Sequence, residues 1–313
     1  MNANEKKFIP VMITPFNLKA KIDFDALKSL IEFYLAAGVK GLFANCLSSE
    51  MFSITEDEML EITKQIVKQV KGRVPIVATG SFGLTIKDKA SFIKKIYDTG
   101  IDAAILVTGH FANVDDDDDL LLRNFEKIFS LTGNISLGTY ECPAPYKRII
   151  SASLWKQLLE ADRLIYHKDT STEQDQVKVK LDILKGLGNN SLEFYDAHSP
   201  NAMFSLQNGA KGMSSISGNF YPEIMVWICN NATNPEKQED VKWLQSEITR
   251  VDSLIHQAYP MSAKYFLQKR GLPVRTISRA FVLELTPGQK KTLDGVYTNF
   301  VGWCDRLGIK QAL

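Results

Sequence analysis

Short apolar runs punctuate the first 220 residues at nearly regular intervals. They are Phe8–Thr14, Gly41–Asn45, Val74–Thr79, Ala103–Thr108, Ile135–Tyr140, Leu164–Lys168, Leu192–Asp196 and Gly212–Ser217. Each has the length of a buried strand, and most are followed by apolar residues at three- and four-residue spacing, the signature of an amphipathic helix. Leu27, Leu30, Ile31, Tyr34 and Leu35 form one such face, closed by Gly38. Thr55-Glu56-Asp57-Glu58 reads as a capping box opening a helix with Met59, Ile62, Ile66 and Val70 on one side. Thr85-Ile86-Lys87-Asp88 carries a similar start signal, and Gly100 a stop. The acidic run Asp115–Asp119 suits the positive end of a helix dipole. It lacks the spaced ligands and glycine of a calcium loop, so a solvated helix cap is the expected role.

Successive strands lie mostly about thirty residues apart, the length of one βαβ unit. Eight units predict an α/β fold, a (β/α)8 TIM barrel, over residues 1–221. An open nucleotide-binding sheet would want a glycine-rich loop after the first strand, where this chain has Thr14-Pro15-Phe16-Asn17. Residues 222–313 read as a C-terminal helical extension packed on the barrel within one structural domain. Trp243, Ile248, Val251 and Ile255 outline one apolar face there, and Pro235, Pro260 and Pro273 punctuate it.

Composition narrows the class. The net charge of +1 over 313 residues argues against a nucleic-acid surface or a membrane-binding face. No apolar stretch reaches the length of a membrane span, and the N-terminal residues lack the apolar core of a secretory signal. Cys46, Cys142, Cys229 and Cys304 are far apart, consistent with reduced thiols and a cytoplasmic location. Four scattered histidines, without an HxH or HxxxH pair, argue against a metal-dependent aldolase.

The C-terminal ends of barrel strands ring one pocket. Those ends supply Thr14, Ser48, Ser49, Gly80, His110, Tyr140, Lys168, Asp196 and Ser217. Lys168 closes an apolar run, and burial lowers a lysine's pKa by penalising the ammonium. The neutral amine condenses with ketones, so Lys168 is the candidate Schiff-base nucleophile; taken alone, a strand-end lysine snorkelling to solvent is the plainer reading. Tyr140 ends the neighbouring strand and is the candidate acid/base. Ser48 and Ser49, with backbone N–H groups in their turn, could hold a carboxylate. Strand alternation points His167 away from the pocket, toward the outer helices.

The ordered set of motifs resembles the dihydrodipicolinate synthase / N-acetylneuraminate lyase family of class I aldolases over nearly the whole chain. Val11-Met12-Ile13-Thr14-Pro15-Phe16 looks like the opening strand of that family, and Ser48-Ser49-Glu50 its carboxylate-binding turn. Ala78-Thr79-Gly80 is similar to the third strand, Tyr140 with Pro143 to Y-x-x-P, and Lys168-Asp169-Thr170-Ser171 to the Schiff-base motif. Gly209-Ala210-Lys211-Gly212, on to Gly218-Asn219, resembles the eighth strand. The resemblance implies Lys168 and Tyr140 as catalytic residues and a homo-oligomer, a tetramer or dimer, to which Phe111 and Tyr146 could contribute apolar contacts. Three positions depart from the synthase subgroup: Leu47 replaces a relay hydroxyl, Phe111 a second tyrosine and Pro145 a substrate-binding arginine.

Together these readings predict a Schiff-base lyase acting on a 2-oxo acid, with pyruvate as donor and an aldehyde as partner, and with no metal, nucleotide or flavin cofactor. Thr14, Ser48, Ser49, Gly80, Ser217 and Arg148 are the expected substrate-binding residues, Arg148 as the nearest fixed charge for a distal group. A dehydratase of a deoxy-oxo sugar acid on the same scaffold is the first rival. A catalytically silent metabolite-binding barrel is the second.

Overall fold

Pro10 divides the first apolar run. In the computed structural model, which describes residues 5–188, 191–280 and 284–313, the run holds a strand only over Lys7–Phe8 (β1). A proline has no N–H to give the ladder, so regular pairing stops there. The chain resumes contact one residue later, through a parallel bridge between Val11 and Phe43. Met12 N–H then donates to Phe43 O at 2.9 Å.

The other seven runs form β2 (Leu42–Ala44), β3 (Ile76–Thr79), β4 (Ala103–Val107), β5 (Leu137–Tyr140), β6 (Leu164–Asp169), β7 (Glu193–Asp196) and β8 (Gly212–Met213). All pair in parallel in the order β1-β8-β7-β6-β5-β4-β3-β2, and the Val11–Phe43 bridge joins the two ends. The result is a (β/α)8 TIM barrel. Its interior is aromatic: Phe43 meets Tyr140 and Tyr166 edge-on at 5.5 and 6.0 Å, and Tyr166 stacks on Tyr195 at 4.8 Å. Gly138 is required in β5, because a Cβ there would lie 2.6 Å from Ile105 Cδ1 and 2.9 Å from Tyr166 O.

Helices α1 (Phe24–Ala36), α2 (Glu56–Val70), α3 (Ile86–Tyr97) and α4 (Asp118–Thr132) follow the first four strands. The Thr55/Glu58 box caps α2, and Thr85 with Asp88 does the same for α3. Asp117 caps α4 by accepting from Leu120 N–H at 2.7 Å, so the acidic run is a helix start. Next come α5 (Ala152–Glu160), α6 (Gln174–Gly186), α7 (Ala202–Gln207) and α8 (Pro222–Asn231). Because α8 packs on β1, the ring of helices runs on past Pro222. The chain ends in α9 (Gln238–His256), α10 (Met261–Lys269) and α11 (Pro287–Leu307), which pack on one another. Ile248, Val251 and Ile255 are buried on α9, and Trp243 packs partly buried against the core. Among the described residues no helix is long and apolar enough to cross a membrane.

Candidate active site

Lys168 and Tyr140 are register partners across β5 and β6. Both side chains face a cavity of about 550 Å3 at the C-terminal mouth of the barrel. Lys168 is only 4% exposed, with its Nζ 4.6 Å from the Tyr140 ring centroid and 5.5 Å from that of Phe43. Burial brings its pKa down to about 8, while Cys46, Cys142 and Asp196 nearby work the other way. The same burial, with Cys142 and Cys46 close by, holds the Tyr140 phenol well above its ordinary value. The pair therefore offers a partly neutral amine beside a protonated phenol. Asp196, at the end of β7, is raised to about 7 by burial, against hydrogen bonds from Ser205 Oγ and the His198 N–H.

The strand after Lys168 is braced from behind. Glu141 and Asp169 directly follow Tyr140 and Lys168, and both carboxylates reach the buried Lys180 of α6, at 2.5 and 2.6 Å. Glu141 also accepts from Ile150 N–H and Thr170 N–H. Burial opposes charge on Asp169, yet His167 and Lys180 outweigh it and hold the carboxyl far below its usual range. Although Glu141, His167 and Asp169 lie close enough to suggest a metal centre, the Lys180 ammonium already pairs with both carboxylates, one cation shared between them. His167 itself faces outward, 4.5 Å from the Trp155 ring, with Nδ1 2.8 Å from Thr139 Oγ1.

Other sequence candidates divide sharply. Ser48 lines the cavity. Ser49 does not: its hydroxyl donates to Met12 O at 2.6 Å and its N–H to Cys46 O, so both are spent on the turn. Thr14 Oγ1 donates to Ser49 O at 2.8 Å, supporting that turn from below. Gly80 sits under α3, where a Cβ would lie 2.8 Å from Ile96 Cγ2; close packing explains it. Ser217 shares a hydrogen bond with Ser199 Oγ at 2.7 Å, and the cavity wall is formed instead by Ser215. The Ser215 hydroxyl is buried and has no partner among the described residues. Arg148 also leaves the site: it donates to Val114 O and pairs with Asp118 at 2.8 Å. Lys147, its neighbour, stands at the cavity mouth, donating to Thr170 O at 2.7 Å. Phe111, expected as an exposed apolar residue for a subunit contact, is instead buried within the chain, its ring 5.1 Å from that of Phe125. Partly buried Tyr146 donates its hydroxyl to Gly109 O at 2.8 Å.

The extension supplies what the strand ends could not reveal. Tyr259, Pro260 and Ala280 form one wall of the cavity. Glu50, in a left-handed conformation (φ 60°) costing about 1 kcal/mol or more, is held there by four ties. Its carboxylate accepts from Lys264 Nζ at 2.6 Å, Ser278 Oγ at 2.8 Å, and the N–H groups of Arg279 and Ala280 at 2.7 and 3.0 Å. One carboxylate thus fastens the loop after β2 to the extension.

Residues 4–298 match the dihydrodipicolinate synthetase family, and the chain belongs to it. It is a lyase of the aldolase type. A 4-hydroxy-tetrahydrodipicolinate synthase of Oceanobacillus iheyensis is 24% identical over 297 residues, 95% of this chain and 98% of that one. Among solved structures, YagE of E. coli K12, a prophage protein of the dihydrodipicolinic acid synthase family in complex with pyruvate, has a TM-score of 0.85 at 20% identity. It covers 95% of this chain and 98% of its own. The dihydrodipicolinate synthase of Bacteroides thetaiotaomicron has a TM-score of 0.83 at 22% identity, covering 96% and 100%.

Proposed function

We propose that this enzyme forms a Schiff base between Lys168 and a 2-oxo acid of the pyruvate type. The observation that carries the reading is the buried Lys168 amine, lowered to about 8, in register with Tyr140. The neutral amine attacks the ketone carbon, whose π pair moves to oxygen. Tyr140, kept protonated by its burial, delivers a proton as the carbinolamine loses water. The protonated imine then draws in the electron pair released when the C3–C4 bond breaks, while the C4 hydroxyl returns its proton to the Tyr140 phenolate and leaves as an aldehyde. Tyr140 then protonates the enamine at C3, and water hydrolyses the imine to pyruvate and the free lysine, its surplus proton going back to Tyr140. Condensation runs the same steps in reverse. Ser48 and the N–H groups at the start of its turn hold the carboxylate, a positioning effect of several kcal/mol in favourable cases.

Borohydride added with pyruvate tests this directly. Reduction of the imine is expected to leave a stable pyruvyl-derived mass on Lys168; no adduct, or an adduct on another lysine, overturns the assignment.

The substrate we favour is a polyhydroxylated 2-oxo acid cleaved to pyruvate and an aldehyde. The Ser215 hydroxyl on the cavity wall, without a partner among the described residues, suits such a chain, and those of Thr170 and Thr172, which donate to Glu141 O and Ser171 O, can still accept from it. They suit dehydration of a deoxy-oxo sugar acid as well, which is the second reading. With Leu47 in the cavity wall, Phe111 packed on Phe125 and Pro145 in place of arginine, condensation with aspartate semialdehyde is expected to be very slow. Missing partners for a polar substrate discriminate strongly against it. We also propose a homo-oligomer, to be checked by light scattering at micromolar concentration, where a monomer would refute it.

A further inference from the structure

Tyr259 comes from the extension and lines the same cavity as Lys168, Tyr140 and Ser48. Its hydroxyl belongs to a chain of hydrogen bonds whose direction is fixed. Asn219 Nδ2 lies 2.8 Å from the Val11 carbonyl and 2.8 Å from the Tyr259 hydroxyl. A carbonyl oxygen can only accept, so the atom facing Val11 must be the amide nitrogen. That nitrogen can only donate, so the Tyr259 oxygen accepts from it. The other side of the amide, Oδ1, takes the hydroxyl hydrogen of the fully buried Tyr34. One Asn219 hydrogen is thus given to Val11 and the other to Tyr259, and the Tyr259 hydroxyl, already accepting from that amide, cannot return its own hydrogen to it.

Ser48 stands beside that hydroxyl on the cavity wall. Burial keeps the Tyr259 phenol in its protonated form, with Ser48 and Asn219 as its hydrogen-bonding neighbours. The turn at Ser48 lacks two donors that its sequence promised, because the N–H of Ser49 is given to Cys46 O and its hydroxyl to Met12 O. We propose that Tyr259 is a substrate-contacting residue of this site, donating its hydroxyl hydrogen, together with Ser48, to the carboxylate of the bound 2-oxo acid. This inference rests on the Schiff-base reading above and adds a residue that the strand ends do not supply.

The test compares pyruvate with methyl pyruvate, which keeps the ketone and loses the carboxylate charge. Imine formation at Lys168 is followed by borohydride trapping as a function of ligand concentration, in the full-length wild type and in Tyr259→Phe. A hydrogen bond to a charged group is worth about tenfold or more in binding. The half-saturating concentration of pyruvate is thus expected to rise about tenfold in Tyr259→Phe, with methyl pyruvate nearly unaffected and the trapping rate at saturation retained. General damage to the pocket would move both ligands alike, leaving their ratio at its wild-type value, and that result overturns the proposal. Site-specific difluorotyrosine at position 259 provides a second, isosteric variant, whose more acidic phenol is expected to widen the preference for pyruvate. An unchanged preference there also counts against the proposal. Wild-type protein that traps neither ligand at Lys168 overturns the Schiff-base reading itself, and the inference with it.

Discussion

The Nζ of Lys168 lies over the face of the Tyr140 ring, 4.6 Å from its centroid, so the proposed nucleophile and its acid are in contact before any substrate arrives. A cation over an aromatic face is stabilised by about 0.5–2 kcal/mol. Burial acts in the opposite direction and prevails, since the amine is lowered to about 8. The ring moderates the shift, and burial sets its sign.

This fixes a pH profile. The trapping rate with pyruvate is expected to fall about tenfold per pH unit below about 8 and to level off above it, as the free amine titrates. A midpoint near 10.5, the ordinary lysine value, would contradict the buried setting.

Stability carries the same signature. The folded pKa of Lys168 is depressed, so below about pH 8 the folded state bears the full cost of a buried ammonium. Between about 8 and 10.5 the unfolded chain binds more protons, and the cost fades as pH rises. Lys168→Met is expected to abolish trapping and to gain roughly 3 kcal/mol at pH 7, read as a higher Tm. The gain should shrink toward pH 10.5.

Lys180→Met leaves Glu141 and Asp169 as facing, unneutralised buried carboxylates. A loss of about 3–5 kcal/mol in urea denaturation is expected. Combining it with Glu141→Gln and Asp169→Asn should recover much of the loss, because the cost lies in the stranded charges.

The two adjacent cations of the loop after β5 should separate by function. Lys147 sits at the cavity mouth and forms no ion pair among the described residues, whereas Arg148 is spent on Asp118. Lys147→Met is expected to raise KM for a long polyhydroxy 2-oxo acid about tenfold, the worth of one charged hydrogen bond, while pyruvate trapping stays unchanged. Arg148→Ala is expected to lower Tm and leave KM alone. The reverse pattern in steady-state kinetics would return the distal role to Arg148.

The barrel was legible because each strand and its helix are local patterns, and Lys168 because a cation ends an apolar run. Where the period fails, the reading slipped. β8 ends at Met213, so alternation could not choose between Ser215 and Ser217. The loop holding Lys147 and Arg148 has no period at all. Lys180 did leave a trace, since its spacing to Val177 and Leu181 puts it on the apolar face of α6. Tyr259 left only a Tyr-Pro pair, and the ties of Glu50 span 214 to 230 residues, a separation no local pattern encodes.

The wall contributed by Tyr259 and Ala280 has a consequence in time. A ribosome adds about 5–20 residues per second, so roughly 6–20 s separate the synthesis of Lys168 from that of Ala280. Through that interval the wall of Tyr259 and Ala280 is absent from the pocket. A solvated lysine keeps its ordinary pKa and remains a poor nucleophile toward the ketones and aldehydes around it. The enclosed cavity around Lys168 is thus complete only once the last quarter of the chain is in place.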